Sequence, residues 1–412
     1  MWRFFLLGLC LGGSQLLFAG GWQISLHGHR QIGMAHTGTG LAFDASSLYF
    51  NPGALSFIKR GGIQFGGSVM APATSYLGPF AGDTVISMED FIITPLYLYT
   101  AFRPAPGKKL QKWGFGLGLN NPFGGQTKWG DDWKGKFISQ EFIFNTLFLH
   151  PTLSYQLTEK LGLGGGVSLG FANILRRKAL DATDGINNTL GSVQYTGTAR
   201  GMGFNLGVYL KANDHMSLGI TYRSGINLNV NQGQAVFNVP ASLEQDFPSQ
   251  NFTTQLRMPR SINIGLGYQT EDRFLLAVDL NFVGWQVIDS VRFQLEEPIE
   301  DLPDYAARNY QNTYSLRIGG EYYANDRLTI RGGFFYDVSP VPQDFVTPEF
   351  PNSNHIGISA GIGLRVGNRF SLDLSYVYEF SGERTSIYEE AQFFGTYETT
   401  ISNFGLGIGF QF

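Results

Sequence analysis

Side chains able to catalyse a reaction or bind a metal ion are few in this sequence of 412 residues. The single cysteine is Cys10, and the six histidines are His27, His29, His36, His150, His215 and His355. The first three histidines have a spacing compatible with metal coordination, but no cysteine or close carboxylate cluster accompanies them. None of the six lies in a recognisable nucleophile and base motif. We therefore expect neither a metal site nor an enzyme.

Charged side chains within apolar segments are the second group that could take part in binding or ion pairing. In residues 314–323 and 328–337, alternation with apolar side chains places Arg317, Arg331 and Asp337 on the face opposite the apolar one. Two roles are open for them. They could form ion pairs that hold another part of the chain, or an arginine could bind the carboxylate of a ligand through a charge-assisted hydrogen bond.

The segments that carry these charges are predicted to be β-strands. The chain contains 54 glycines, 15% aromatic residues and only 15% charged residues. It repeats segments of about ten residues in which apolar side chains alternate with small or polar ones, as in residues 262–269 and 372–379. A period of two indicates strands with one apolar and one polar face, and a soluble sandwich would show the same alternation.

Two features favour a membrane barrel over a sandwich. Short polar connections, such as residues 158–160 and 213–215, alternate with long ones, such as residues 177–199 and 339–354, as in outer-membrane barrels. The last nine residues also alternate and end on Phe412, as in the strands by which barrel-assembly machinery recognises such proteins. The prediction is an all-β protein, a transmembrane antiparallel β-barrel of about 14 strands in the outer membrane of a Gram-negative cell, surrounded by its lipid.

The N-terminal part of the chain differs from the rest. Residues 1–19 have an early Arg3, an apolar core and a terminal Ala19, so they read as a signal peptide. Residues 20–58 lack strand alternation. A barrel of about 14 strands is too wide to be filled by its own side chains. We therefore predict that residues 20–58 form a hatch inside the lumen, with residues 59–412 forming the barrel.

Composition excludes other classes. The chain has 29 basic and 33 acidic residues, a net charge of −4, and so lacks the basic surface that nucleic acid requires. Beyond the N-terminus there is no run of about 18 apolar residues, which argues against a helical membrane protein.

Several motifs resemble one known family. Gly20-Gly21-Trp22-Gln23, residues 33–40 and Asn51-Pro52-Gly53-Ala54-Leu55 are similar to the N-terminal hatch of FadL-type outer-membrane transporters for long-chain fatty acids and related hydrocarbons. The similarity continues in family order through residues 118–124 and 131–137. It includes the Phe-Tyr-Asp-Val-Ser-Pro-Val-Pro element of residues 335–342.

This resemblance implies a monomeric barrel plugged by its N-terminal domain. Family members capture a hydrophobic molecule in an extracellular groove, transfer it to a pocket in the barrel and release it sideways at an inward kink of the third strand. Here that strand is residues 112–120, and the lateral opening falls on Asn121, Pro122, Phe123 and Gly124. Pro122 cannot donate to a strand ladder, which agrees with a break there. The alternative is that Pro122 begins an external loop.

The resemblance also implies roles for individual residues. Trp22 corresponds to an aromatic residue that enters the pocket and moves during gating. Trp129, Trp133 and Phe137 could line the capture groove or belong to an interfacial aromatic belt.

The family's cationic ligand residues do not map cleanly. Asn173 and Gln311 stand where positive charge is expected, with Arg176, Arg177 and Arg308 nearby. Arg308, Arg317, Arg331 and Asp337 are therefore the candidate residues for ligand binding or gating.

The predicted function is passive uptake of a long-chain fatty acid or similar hydrophobic molecule, with lateral release and no cofactor. The first alternative is a channel for neutral aromatic or aliphatic hydrocarbons. The second is a general porin, which a hatch and an aromatic loop would argue against.

Overall fold

The computed structural model describes residues 21–183, 190–270, 273–300 and 302–412. The predicted signal peptide, residues 1–19, lies outside the described residues, as does Gly20 at the start of the predicted hatch.

The described chain is mainly β-structure, with strands numbered along the chain. They are β1 (Gly62–Leu77), β2 (Ile86–Ser87), β3 (Leu96–Phe102), β4 (Trp113–Asn120), β5 (Gly124–Lys128), β6 (Glu141–Gln156), β7 (Leu161–Leu180), β8 (Gly191–Lys211), β9 (Met216–Arg223), β10 (Ile226–Asn238), β11 (Gln250–Met258), β12 (Ser261–Gln269), β13 (Phe274–Val283), β14 (Ser290–Arg292), β15 (Gln294–Leu295), β16 (Tyr305–Ala307), β17 (Thr313–Tyr323), β18 (Leu328–Asp337), β19 (His355–Val366), β20 (Phe370–Ser381), β21 (Arg384–Tyr388) and β22 (Phe393–Gln411).

Helices are few and short. They are α1 (His29–Ile32), α2 (Ser47–Phe50) and the 3-10 segments Pro52–Phe57, Ala241–Leu243, Trp285–Val287, Gln343–Phe345 and Glu389–Ala391. None of them, in the parts of the chain that the structure describes, is long and apolar enough to cross a membrane.

The strands form a closed antiparallel barrel of 14 wall crossings. Each crossing pairs with the next along the chain, and β22 closes the barrel by pairing with β1 from Gln411 opposite Gly62 to Thr396 opposite Leu77. Three crossings consist of two strands in series: β4 with β5, β9 with β10, and β11 with β12. Closure removes every sheet edge, as a span through hydrocarbon requires. The predicted all-β barrel is confirmed.

The two faces of the wall follow the predicted alternation. In β12, Ile262 and Ile264 are 42% and 43% exposed and face outward, while Asn263 and Gly265 between them face the lumen. A strand needs about 9–11 residues to cross a bilayer. With 20 and 21 residues, β7 and β8 therefore extend beyond it on the side of the long loops.

The segment of residues 21–58 lies inside the barrel and contributes no wall strand. Its residues Met34, Leu48 and Leu55 have no exposed surface. Glycines of the wall let its backbone approach closely. A Cβ atom at Gly219 would strike the carbonyl group of Thr39, and one at Gly319 would strike the carbonyl group of Met34.

One ion pair and two hydrogen bonds to a buried carboxylate fix this inner segment to the wall. Arg30 of α1 donates to Glu321 of β17 at 2.7 and 2.6 Å. Arg331 of β18 donates to the same carboxylate at 2.6 Å and to Asp373 of β20 at 2.7 Å. Asp279 of β13 accepts hydrogen bonds from two backbone N–H groups of the inner segment, both at 2.9 Å. The lumen charges on these strands therefore hold the N-terminal segment.

Candidate functional site

The wall is interrupted where β4 passes into β5. Asn120 at the end of β4 pairs with Phe148 of β6, and Gly124 at the start of β5 pairs with Asn145. Three residues, 121–123, therefore face only two on β6, residues 146 and 147. The extra residue leaves the ladder unpaired locally, as a β-bulge does. The pairing of the third crossing is thus interrupted at residues 121–123, and the chain continues beyond Pro122 into β5, which pairs with β6.

Two side chains replace the missing ladder bonds at this interruption. Asn121 accepts a hydrogen bond from the N–H of Leu96 at 2.9 Å and donates to the carbonyl of Thr146 at 2.5 Å. The hydroxyl of Thr146 accepts from the N–H of Phe123 and donates to its carbonyl. At this interruption the third crossing is therefore joined to its neighbours through the side chains of Asn121 and Thr146.

The N-terminal segment covers the interruption from inside. The N–H of Gly124 donates to the carbonyl of Trp22 at 2.9 Å, and the N–H of Ile24 donates to the carbonyl of Pro122 at 3.0 Å. Gln23 forms an isolated antiparallel bridge with Phe123. Three residues of the inner segment therefore pair, strand-like, with the broken third crossing.

Trp22 lies in an aromatic cluster, which we define as Trp22, Phe144, Trp285, Tyr310 and Phe350. Its ring centroid is 4.6 Å from that of Phe350, 5.4 Å from Phe144, 6.4 Å from Tyr310 and 6.5 Å from Trp285. The indole is only 3% exposed. Phe144 comes from β6, and the other three partners come from segments that follow β13 and β18.

Several polar atoms of this apolar cluster are buried without a hydrogen-bond partner among the described residues. They are the indole N–H groups of Trp22 and Trp285 and the hydroxyl of Tyr310. A buried donor without a partner costs about 1–3 kcal/mol. Three such groups around one cluster suit the polar end of a ligand.

A buried charged group adjoins the aromatic cluster in sequence. Glu349, next to Phe350, accepts hydrogen bonds from Arg176 of β7 and from Arg308, the latter at 2.6 Å. The three side chains are 3–13% exposed. Burial opposes ionisation of Glu349, but the two guanidinium groups outweigh it and hold the pKa of this carboxyl below its ordinary value. Two arginines on one carboxylate leave one positive charge in excess.

The four predicted charged residues fall into three separate ion-pair groups. Arg317 donates to both carboxylate oxygens of Asp337, at 2.9 and 2.8 Å, and to the hydroxyl of Ser25 at 3.2 Å. Arg331 belongs to the network around Glu321. Of the four, Arg308 alone pairs with the carboxylate beside the aromatic cluster.

The three predicted groove residues differ in exposure to solvent. Trp129 and Trp133 stack with ring centroids 4.4 Å apart and are 0% and 5% exposed. The indole of Trp129 donates to the carbonyl of Pro348 at 3.1 Å, next to Glu349. Phe137 is 43% exposed, so it does not share their environment.

The histidines of the inner segment make protein contacts. Asn120 lies 3.3 Å from Nδ1 of His27 and 3.0 Å from Nε2 of His150, at the end of β4. Within the described ranges there is no group of three or more histidine, cysteine or acidic side chains arranged to hold a metal ion.

Sequence reasoning missed Glu349, Trp285, Phe350 and Thr146. Glu349 and Phe350 lie in one of the predicted long loops, but the pattern gives no sign that this loop folds into the barrel. Thr146 has the small polar character of any inward strand residue.

Comparison with known proteins agrees with this architecture. A family model described as outer membrane protein transport protein (OMPP1/FadL/TodX) matches residues 10–412. The chain is 20% identical over 405 residues to the long-chain fatty acid transport protein of Escherichia coli K12, covering 89% of each chain. It is 21% identical over 414 residues to outer membrane protein P1 of Haemophilus influenzae, covering 89% of this chain and 88% of that protein.

Two solved structures share the fold. A Pseudomonas aeruginosa FadL homologue superposes with a TM-score of 0.81 at 18% identity, covering 95% of this chain and all of that one. The Pseudomonas putida toluene transporter TodX gives a TM-score of 0.69 at 17% identity, covering 96% and 99%. With its family match over nearly the whole length, the chain belongs to the OMPP1/FadL/TodX family of outer membrane transport proteins and is itself an outer-membrane β-barrel.

Proposed function

We propose that the protein takes up long-chain fatty acids or similar hydrophobic molecules by passive diffusion and releases them laterally through the wall at residues 121–124. One observation carries this proposal. The backbone of Trp22 closes the interruption of the wall, and the side chain of Trp22 is part of the aromatic cluster. A ligand that displaces the indole would therefore also withdraw the backbone that pairs with Gly124.

Transfer along this path is favourable without a cofactor. Moving an apolar chain from water into an apolar site gains about 0.8 kcal/mol for each CH₂ group. Lateral exit then returns the chain to lipid without passing through the polar segment that fills the lumen. Binding at the aromatic cluster supplies specificity, and the concentration gradient supplies direction.

The arrangement of Arg176, Arg308 and Glu349 favours a ligand with a carboxylate headgroup. Arg176 and Arg308 share one carboxylate, Glu349, so a second carboxylate would balance the excess charge. The unpaired donors of Trp22, Trp285 and Tyr310 would satisfy its oxygens. Hydrogen bonds to charged groups contribute about 1.5–3 kcal/mol each. The name of the relative from Escherichia coli, a long-chain fatty acid transport protein, supports the same substrate class.

Neutral hydrocarbons are the second candidate, and the aromatic character of the cluster favours them. A ring could pack against Phe144 and Phe350 with no headgroup at all. One structural relative is named as a toluene transporter. In that case Arg308 and Arg176 serve only to fix Glu349 and its loop.

The proposal includes a division of the chain. Residues 20–58 would act as the hatch and residues 59–412 as the barrel, working as a monomer inserted by the barrel-assembly machinery through the strand that ends at Phe412. A general porin is disfavoured, since the buried pairs of Arg30 and Asp279 hold the inner segment across the lumen.

Uptake of radiolabelled oleate by a Gram-negative host that lacks its own fatty-acid transporter tests the proposal. Cells that express this protein should take up oleate at several times the rate of cells with an empty vector. Equal rates, with the protein shown by heat-modifiable gel mobility to be folded in the outer membrane, would reject fatty-acid uptake. Toluene uptake measured in the same cells tests the second candidate.

A further inference from the structure

The barrel wall has a second interruption, between the sixth and seventh crossings. Strand β8 pairs with β9 as far as Asn205 opposite Arg223. It pairs with β10 at the single position Arg200 opposite Asn229 and, after a register shift, again from Thr196 opposite Gln234. Between these points, residues 201–204 of β8 face residues 224–228 without ladder pairing. As at the third crossing, one strand has an extra residue.

One side-chain bond and one backbone bond join the strands at the edge of this interruption. The hydroxyl of Ser224 accepts a hydrogen bond from the N–H of Phe204 at 2.9 Å, and the N–H of Ser224 donates to the carbonyl of Phe204 at 2.9 Å. The break continues on the other side of this crossing. There, β10 pairs with β11 only from Ile226 opposite Met258, and residues 259 and 260 lie between β11 and β12. Pro259 cannot donate to a ladder.

The two interruptions lie next to one row of cross-strand pairs in the wall. Leu147 of β6, opposite the first interruption, pairs with Phe171 of β7. Phe171 in turn pairs with Arg200 of β8, which directly precedes the second interruption. On the outer face, Met202 and Phe204 are 70% and 47% exposed and continue the apolar band of β8. The second interruption therefore adjoins lipid.

A cavity of about 40 Å³ connects the two interruptions through the lumen. Its lining includes Gln23, Pro122 and Phe123 at the first interruption and Phe204, Ser224 and Ile226 at the second. It is too small for a hydrocarbon chain, so passage requires β8 and β10 to separate. Gly201 and Gly203 contribute no side chain to the contact between β8 and β10. A side chain at Gly203 would strike Ile226 and Ser224, so the two strands approach closely here.

We propose that the interruption between β8 and β10 is a second lateral portal, through which the apolar chain of a ligand passes between the lumen and the outer leaflet. The inference rests on the proposed uptake of hydrophobic molecules. Two exits that line one cavity would let a ligand in that cavity leave in either direction. Loss of one exit would then reduce uptake without abolishing it.

A reversible cross-link tests the portal. A Cβ atom at Gly203 would lie 2.6 Å from the hydroxyl oxygen of Ser224, so the double variant G203C/S224C is placed to form a disulfide. The natural chain has a single cysteine, Cys10, in the predicted signal peptide. The matched control is I362C/L374C, whose residues pair in the regular ladder of β19 and β20.

Oleate uptake by cells is measured with oxidised protein and again after dithiothreitol. We expect the oxidised G203C/S224C protein to take up oleate at half the wild-type rate or less, with recovery on reduction and no change in the control. With Pro122 also deleted to close the first opening, oxidation should reduce uptake to the empty-vector rate. An unchanged rate in both backgrounds would overturn the portal while leaving fatty-acid uptake standing. If wild-type cells take up no oleate, the proposed function fails and the portal fails with it.

A second measurement needs no variant. A long-chain fatty acid that carries a diazirine in its tail is photolysed on the purified wild-type protein, and labelled peptides are identified by mass spectrometry. Labelling of residues 201–204 or 224–228 is expected. Labelling restricted to residues 121–126 would contradict a second portal.

Discussion

The carbonyl oxygen of Trp22 accepts a 2.9 Å hydrogen bond from the backbone N–H of Gly124, so the inner segment of the barrel is bonded to the broken third crossing of its wall. The same residue inserts its indole between Phe144 and Phe350. The aromatic cluster and the wall are therefore connected through one residue, and mutation of that residue tests the connection.

Replacing Trp22 with alanine should reduce oleate uptake about fivefold or more. The aromatic cluster loses its central ring, and the segment that pairs with Gly124 loses the side chain that anchors it. Aromatic pairs contribute about 0.5–1.5 kcal/mol beyond their buried area. The measurement is the initial uptake rate, with outer-membrane yield checked by gel mobility. Trp113→Ala, on the half-exposed tryptophan of β4, is the control. Unchanged uptake in the Trp22 variant would show that Trp22 has no part in opening the wall.

Deleting Pro122 should close the lateral opening. Residues 121 and 123 would then face residues 146 and 147 in equal number, and the ladder of β4 and β5 with β6 would become continuous. We expect uptake to fall while the purified protein still binds a fluorescent fatty acid. Pro122→Ala, which keeps the length of the strand, should retain most activity. Full uptake by the deletion variant would mean that ligands do not depend on this opening.

Arg308→Met should distinguish a carboxylate ligand from a neutral one. The loss of a charge-assisted hydrogen bond of about 1.5–3 kcal/mol should weaken binding of a fatty acid roughly 10- to 100-fold. The methyl ester of the same acid should bind equally to both proteins. Arg292→Met, at a largely exposed arginine, serves as the control. Equal loss for acid and ester would assign Arg308 a purely structural role.

Glu321→Gln should loosen the inner segment. It leaves Arg30 and Arg331 without their shared carboxylate, and breaking a buried pair of this kind costs about 3–5 kcal/mol. The expected result is an increased ion conductance in planar bilayers, since the lumen is no longer firmly filled. Glu383→Gln, at an exposed glutamate, should conduct as the wild type does. Equal conductance of both variants would show that other contacts suffice to hold the segment.

The barrel could be predicted from sequence because the alternation of side chains along a strand depends only on residues that are neighbours in the chain. Period-two alternation gives each strand its faces, so Arg317, Arg331 and Asp337 were assigned to the lumen before their partners were known. The break of the third crossing was also visible, since Pro122 removes a backbone donor. These inferences need only neighbours in the chain.

The aromatic cluster and the group of Arg176, Arg308 and Glu349 could not be predicted in the same way, because distant loops build them. Phe350 reaches Trp22 across 328 positions of sequence, and Glu349 joins Arg176 to Arg308 from the same loop. Loops carry no periodic pattern that would report such contacts. The second interruption of the wall was missed for a related reason. Ser224 and Gly225 resemble an ordinary turn, and only the pairing of β8 shows that they lie within a crossing.

Competition binding to the detergent-purified protein tests the central claim most directly. A fluorescent long-chain fatty acid is bound and then displaced by oleate, by toluene or by an alkane, and the extracted natural ligands are identified by mass spectrometry. The account predicts saturable binding, displacement by oleate at lower concentration than by toluene, and a co-purified fatty acid. The absence of saturable binding by any of these hydrophobic molecules would contradict it, even with the barrel correctly folded.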